Sequence, residues 1–118
     1  MSKPVVLIVE DEPLLRMHAA SLIEDAGFDT LEASSAEEAI EFLETRLDIR
    51  IVFTDIDLPG EMNGIRLAAA IRDRWPPVEL VLTSGQVKVA DKDIQTRGHF
   101  LPKPYEARRL IETLQSFG

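Results

Sequence analysis

Residues 5–13 read Val5-Val6-Leu7-Ile8-Val9-Glu10-Asp11-Glu12-Pro13. Five consecutive aliphatic residues, with no polar alternation, describe a strand covered on both faces, as in parallel sheets. Three acidic residues end it, and Pro13 stands where the first turn of a helix tolerates proline. The same order of strand, polar turn and helix recurs downstream. Leu15, Ala19, Leu22 and Ala26 return at helical spacing, and Gly27 supplies a stop. Phe28–Glu32 reads as a short strand. Ser35 and Glu38 form a capping box ahead of Ala36, Ile40, Leu43 and Leu47. Ile51–Thr54 is a second buried-type strand and runs into Asp55. Pro59, Gly60, Asn63 and Gly64 mark a loop, and Ile65, Ala68, Ile71 and Trp75 make a third helical face closed by Pro76-Pro77. Leu80–Thr83 and Phe100-Leu101 are the fourth and fifth strands, and Tyr105–Phe117 is a final helix. Between those strands Lys88–Arg97 is only weakly helical. Five strand–helix units with short crossovers predict an α/β fold, a five-stranded parallel sheet with helices on both faces.

The chain has 118 residues, which predicts one domain over 1–118. It contains no cysteine, so disulfides, thiolate metal sites and cysteine nucleophiles are excluded. The apolar run at the N-terminus is five residues long and meets Glu10 at once, unlike a secretory leader. Thirteen basic residues stand against twenty-one acidic ones, a net charge of −8. Such a charge is repelled by nucleic acid and by anionic membranes. The expectation is a soluble cytoplasmic domain whose partner is a small molecule, a metal or a protein.

In a parallel sheet ligands collect at the carboxyl ends of the strands. Here those ends carry Glu10-Asp11, Asp55 with Asp57 beyond it, Thr83-Ser84-Gly85, and Pro102-Lys103-Pro104. Carboxylates about 4 Å apart repel by roughly 4 kcal/mol at an effective dielectric near 20. Either a pKa rises or a cation enters, and hard oxygen ligands on short loops suit Mg²⁺ or Mn²⁺. A carboxylate beside such an ion and a lysine is equipped to attack phosphorus and form an acyl phosphate.

Four stretches taken together, Ile8-Val9-Glu10-Asp11-Glu12, Phe53-Thr54-Asp55-Ile56-Asp57-Leu58-Pro59-Gly60, Leu82-Thr83-Ser84-Gly85 and Leu101-Pro102-Lys103-Pro104, resemble the receiver domain of bacterial two-component response regulators. The resemblance covers essentially the whole chain. It implies a flavodoxin-like strand order of 2-1-3-4-5 and a stand-alone signalling domain, not a turnover enzyme. By the resemblance Asp55 is the phosphoacceptor. Asp11, Asp55 and the backbone carbonyl of Asp57 hold Mg²⁺ or Mn²⁺, with Glu10 reaching the metal through water. Lys103 binds the phosphoryl group, the Lys103–Pro104 bond is cis, and Phe100 is the aromatic whose rotamer reports the phosphorylation state. Strand alternation lets only one of Thr83 and Ser84 face the site, and the resemblance favours Ser84. A histidine kinase or a histidine phosphotransfer protein would donate the phosphoryl group, and a downstream protein would read the switched face of a monomer or weak dimer.

Two departures accompany the resemblance. The loop from Asp55 to Gly64 is one residue longer than the commoner pattern. The segment Gln86–Gly98 is about one helical turn short and poor in apolar residues, which predicts a short or mobile helix after the fourth strand. Two other readings compete: an Mg²⁺-dependent aspartyl phosphatase of haloacid-dehalogenase type, suggested by Asp55 and Asp57 at i, i+2, and a degenerate receiver that binds partners without phosphate.

Overall fold

A computed structural model describes residues 3–85 and 99–117. Its elements run β1 (Val5–Val9), α1 (Pro13–Asp25), β2 (Asp29–Ala33), α2 (Ala36–Thr45), β3 (Ile49–Asp55), α3 (Gly64–Arg74), β4 (Glu79–Ser84), β5 (His99–Pro102) and α4 (Ala107–Gln115). The strands form one parallel sheet in the order β2-β1-β3-β4-β5. The segment Gln86–Gly98, with the expected short helix, lies outside the described residues.

All five residues of β1 are buried, as an unbroken aliphatic run requires. Their side chains alternate between two cores. Val5, Leu7 and Val9 join Val52, Leu80 and Leu82 under α2 and α3, through Ala36, Leu43, Leu67 and Ile71. Val6 and Ile8 join Phe53 and Val81 under α1 and α4, through Ala19, Ile23, Leu110 and Leu114. The sheet is thus sealed on both faces, and its polar chemistry is left to its edges.

The helix starts follow local chemistry. Pro13 opens α1. Ser35 caps α2 by accepting the Glu38 N–H at 3.1 Å, while the Glu38 carboxylate accepts from Ser34 rather than from Ser35 itself. Asn63 caps α3 by accepting the Arg66 N–H at 3.0 Å. Gly27 follows α1 with φ of 101°, a conformation that side chains resist.

Several sequence expectations shift. Leu15 is 47% exposed, because the first turn of α1 starts at the strand ends with little sheet beneath it. Leu47 is 98% exposed, because Arg46 is already extended (φ −126°, ψ 129°) and ends α2 at Thr45. β3 and β4 extend beyond the apolar runs, to Ile49 and to Ser84, since parallel pairing carries the ladder into polar residues. The last helix is shorter than 105–117: Glu106 is extended and α4 starts at Ala107. Trp75 closes α3 at the far edge of the sheet, near Pro4 and Phe28.

Candidate functional site

Parallel strands bring their C-terminal ends to one edge, and the acidic residues arrive there with one lysine. Glu10 follows β1, Asp55 ends β3, Ser84 ends β4, and Lys103 follows β5. Glu10 and Asp55 are buried, at 7% and 5% exposure, whereas Asp11 and Asp57 are exposed. The Lys103 ammonium bridges the two buried carboxylates, 2.8 Å from Asp55 Oδ2 and 3.1 Å from Glu10 Oε1. Backbone groups take the remaining oxygens. Asp57 N–H donates to Asp55 Oδ1 at 2.9 Å, and Glu12 N–H donates to Glu10 Oε2 at 3.1 Å. Among the described residues no buried side-chain polar atom lacks a partner.

The sheet ladder continues into this edge. Ile56 N–H donates to the Thr83 carbonyl at 2.8 Å, and Lys103 N–H donates to the Ser84 carbonyl at 2.9 Å. Adjacent strands are thereby tied at the positions where the polar side chains emerge. The Lys103–Pro104 peptide bond is cis.

Alternation separates the two hydroxyls of β4. Thr83 donates to the Leu101 carbonyl at 2.7 Å, inside the sheet. Ser84 donates to Asp57 Oδ2 at 2.5 Å, on the carboxylate side. Of the two, only Ser84 is turned toward the loop after Asp55, which carries Asp57. Phe100 stands opposite Leu82 in the β4–β5 ladder and packs, half-buried, on the core under α2 and α3.

Burial pushes Glu10 above the usual carboxylate pKa, even though Glu12 N–H and Lys103 pull the other way; the charge of Asp55 adds to the rise. For Lys103, burial works against the charge, but hydrogen bonds to Asp55 and Glu10 outweigh it and the pKa is raised. Lys103 is therefore held charged, while burial works against the charge on Glu10.

Carboxylate oxygens of Glu10, Asp11 and Asp55 all come within 4.8 Å of one another. Three hard oxygen donors at the ends of two neighbouring strands, one of them exposed, fit a small divalent cation such as Mg²⁺ or Mn²⁺. The Asp57 carboxylate does not join this group; it turns to Ser84.

Three residues the sequence reading passed over also shape the site. Arg16 donates through Nη1 to the Glu10 carbonyl at 2.9 Å and pairs with Glu32. The half-buried Tyr105 packs edge-on against Phe53, with ring centroids 5.6 Å apart, and burial raises its phenol pKa. Gly64 donates its N–H to the Ile56 carbonyl, and a Cβ there would lie 2.6 Å from Ile56 Cα and closer still to the Asp55 carbonyl oxygen. Arg16 lies on the first turns of a helix that follows an acidic strand end, a usable signal. Gly64 was legible only as a turn residue.

A family model described as "Response regulator receiver domain" matches residues 6–115. The chain is 34% identical over 113 residues to aerobic respiration control protein ArcA of Escherichia coli (strain K12), covering 93% of this chain and 46% of that protein. It is 32% identical over 114 residues to sensor kinase CckA of Brucella abortus (strain 2308), covering 93% of this chain and 12% of that one. The chain thus spans less than half the length of these curated relatives. A crystal structure of a response regulator receiver protein from Pseudomonas putida superposes with a TM-score of 0.89 at 28% identity, over 98% of both chains.

Proposed function

The chain belongs to the response regulator receiver domain family, and from that we propose that it accepts a phosphoryl group on Asp55 and passes the change to a protein partner. The observation that carries the reading is the setting of Asp55. It is a buried carboxylate with one oxygen on the Asp57 N–H, the other on Lys103, and two further carboxylates beside it.

In this reading an Asp55 oxygen forms the new O–P bond while the N–P bond of a phosphohistidine breaks. The released imidazole keeps the bonding electron pair and takes up a proton. Lys103 Nζ exchanges its contact with Asp55 Oδ2 for the phosphoryl oxygens, and the Ser84 hydroxyl turns to one of them. Phe100 follows the hydroxyl inward. Asp11, Asp55 and the Asp57 carbonyl, with Glu10 through water, would hold Mg²⁺ or Mn²⁺, which when bound shields the charge on the phosphoryl oxygens. The donor is a histidine kinase or a histidine phosphotransfer protein. Leu14, Leu15 and Met17 support a protein donor, since they stand 74%, 47% and 60% exposed on the turns of α1 that follow the acidic loop. The domain spans 1–118 and works in the cytoplasm as a monomer or weak dimer; no helix among the described residues is long and apolar enough to cross a membrane. Asp55 ends the third strand of a receiver-type sheet and Asp57 follows it in the loop, which does not favour the haloacid-dehalogenase reading.

The test is incubation of the chain with acetyl phosphate and Mg²⁺, followed by peptide mapping. One phosphoryl group on the Asp55 peptide is expected. A label on any other residue overturns the assignment. Rapid multiple turnover without an adduct supports the phosphatase instead, and silence supports the degenerate module.

Metal binding is checked separately. At a concentration ten times Kd, Mg²⁺ should stabilise the fold by about 1.4 kcal/mol through mass action, a rise of several degrees in Tm. Asp11→Asn should remove most of that rise, because Asp11 is the exposed member of the oxygen set. Equal Mg²⁺ stabilisation of the wild type and the variant counts against the metal assignment.

A further inference from the structure

The side chain of Asp57 has no part in the reading above, which uses only its main chain. Its carboxylate nevertheless makes a short bond across the site, accepting the Ser84 hydroxyl at 2.5 Å from a residue 27 positions away in sequence. The Asp57 N–H meanwhile donates to Asp55 Oδ1 at 2.9 Å. One residue therefore touches both the nucleophile and the hydroxyl that is to answer it.

The main chain around Ser84 is fixed. Its carbonyl accepts the Lys103 N–H, it stands in register with Pro102, and the residue is 2% exposed. Freedom at this position is mostly rotation of the side chain. A serine hydroxyl has one proton to donate. It cannot give that proton to Asp57 and to a phosphoryl oxygen at once. Hydroxyl–carboxylate bonds of this length belong to the stronger, charge-assisted class.

We propose that the Asp57 carboxylate is an internal acceptor that holds the Ser84 hydroxyl in the resting state and competes for it with the phosphoryl group on Asp55. Asp57 is then a positioning residue that acts through Ser84 and sets how readily phosphorylation switches the domain. The proposal rests on Asp55 as phosphoacceptor. A charge-assisted bond shifts a two-state equilibrium by roughly tenfold when one partner is solvated, and Asp57 is exposed. Removing the carboxylate should shift the equilibrium toward the switched state by that factor.

The experiment measures the affinity of beryllium trifluoride, a phosphoryl mimic, in the presence of Mg²⁺. It compares the full chain with Asp57→Ala, Ser84→Ala and the double variant. Asp57→Ala should bind the mimic about tenfold more tightly than the wild type. Ser84→Ala should bind more weakly, and adding Asp57→Ala to it should change affinity less than twofold. An equal gain from Asp57→Ala in both backgrounds would mean simple relief of charge repulsion and would overturn the proposal. So would unchanged affinity in Asp57→Ala when the wild type binds. Asp57→Asn, which keeps an acceptor without the charge, should fall between the wild type and Asp57→Ala. If the wild type neither binds the mimic nor carries a phosphoryl group on Asp55, the phosphoacceptor reading fails first and takes this proposal with it.

Discussion

Gly64→Ala is expected to destabilise the protein by about 3 kcal/mol, the upper end for overpacking, and to slow phosphorylation of Asp55 by roughly 10²-fold. A Cβ at Gly64 would meet the main chain of Asp55 and Ile56 rather than the end of a flexible side chain. The Gly64 N–H bonds the Ile56 carbonyl at 3.1 Å, so α3 cannot retreat without losing that bond. Retreat would also pull on Asn63, whose side chain caps the same helix. The strain therefore falls on the Asp55–Ile56 peptide. Gly60→Ala is the control. Gly60 has φ of 93° and nothing within 4 Å of its would-be Cβ, so the variant carries backbone strain alone, about 1 kcal/mol. Urea denaturation measures both variants, and acetyl phosphate labelling measures the rate. A Gly64→Ala variant no less stable than Gly60→Ala would show that α3 yields without cost.

Gly64 also marks where sequence reading stops. Its neighbours Pro59, Gly60 and Asn63 made it legible as part of a loop, and one-dimensional spacing carries no information on how closely a helix end approaches a strand end. The alternation of cores along β1 was readable for the opposite reason: an unbroken apolar run has one solution, burial on both faces, and parallel pairing then fixes the edge where Glu10, Asp55, Ser84 and Lys103 meet. Spacing misled at Leu15 and Leu47. Both continue a helical period, but one lies on the first turn of α1 at the strand ends and the other follows an extended residue that has already ended α2. The hydroxyl pair Thr83-Ser84 was half legible. Alternation requires that the two point to opposite sides, and the Leu101 carbonyl decides which one stays inside the sheet. The bond from Ser84 to Asp57 could not be read at all, because it depends on a rotamer and on a loop between two strands.

Lys103→Met is expected to reduce phosphorylation of Asp55 by 10²- to 10³-fold, the range seen when a preorganised charge or donor is removed from a transition state. Methionine keeps most of the stem and removes the ammonium, so packing changes little. In the folded chain that ammonium lies 2.8 Å from Asp55 and 3.1 Å from Glu10, and both carboxylates are buried. Its loss leaves two like charges facing each other with the site's closest cation gone. Removing one partner of a fully buried ion pair costs about 3–5 kcal/mol. The Lys103 side chain is 24% exposed, so a smaller loss, about 2 kcal/mol, is expected here. The pH dependence separates this effect from a packing defect. The Lys103 pKa is raised on folding, so its contribution in the wild type is fully present below its unfolded value of 10.5 and is lost as pH rises through the folded value. Glu10 is also raised, which for a carboxylate means that the folded state holds the proton more tightly than the unfolded one. Stability from that source is present below 4.5 and declines as pH rises through the folded pKa. Without Lys103 to oppose it, the Glu10 pKa should rise further and the window of declining stability should widen. Metal-free Lys103→Met should therefore lose more stability between pH 4.5 and pH 7 than the wild type, a difference read directly from Tm against pH. A deficit that stays constant across that range would mean that Lys103 acts through its methylene stem and not through its charge.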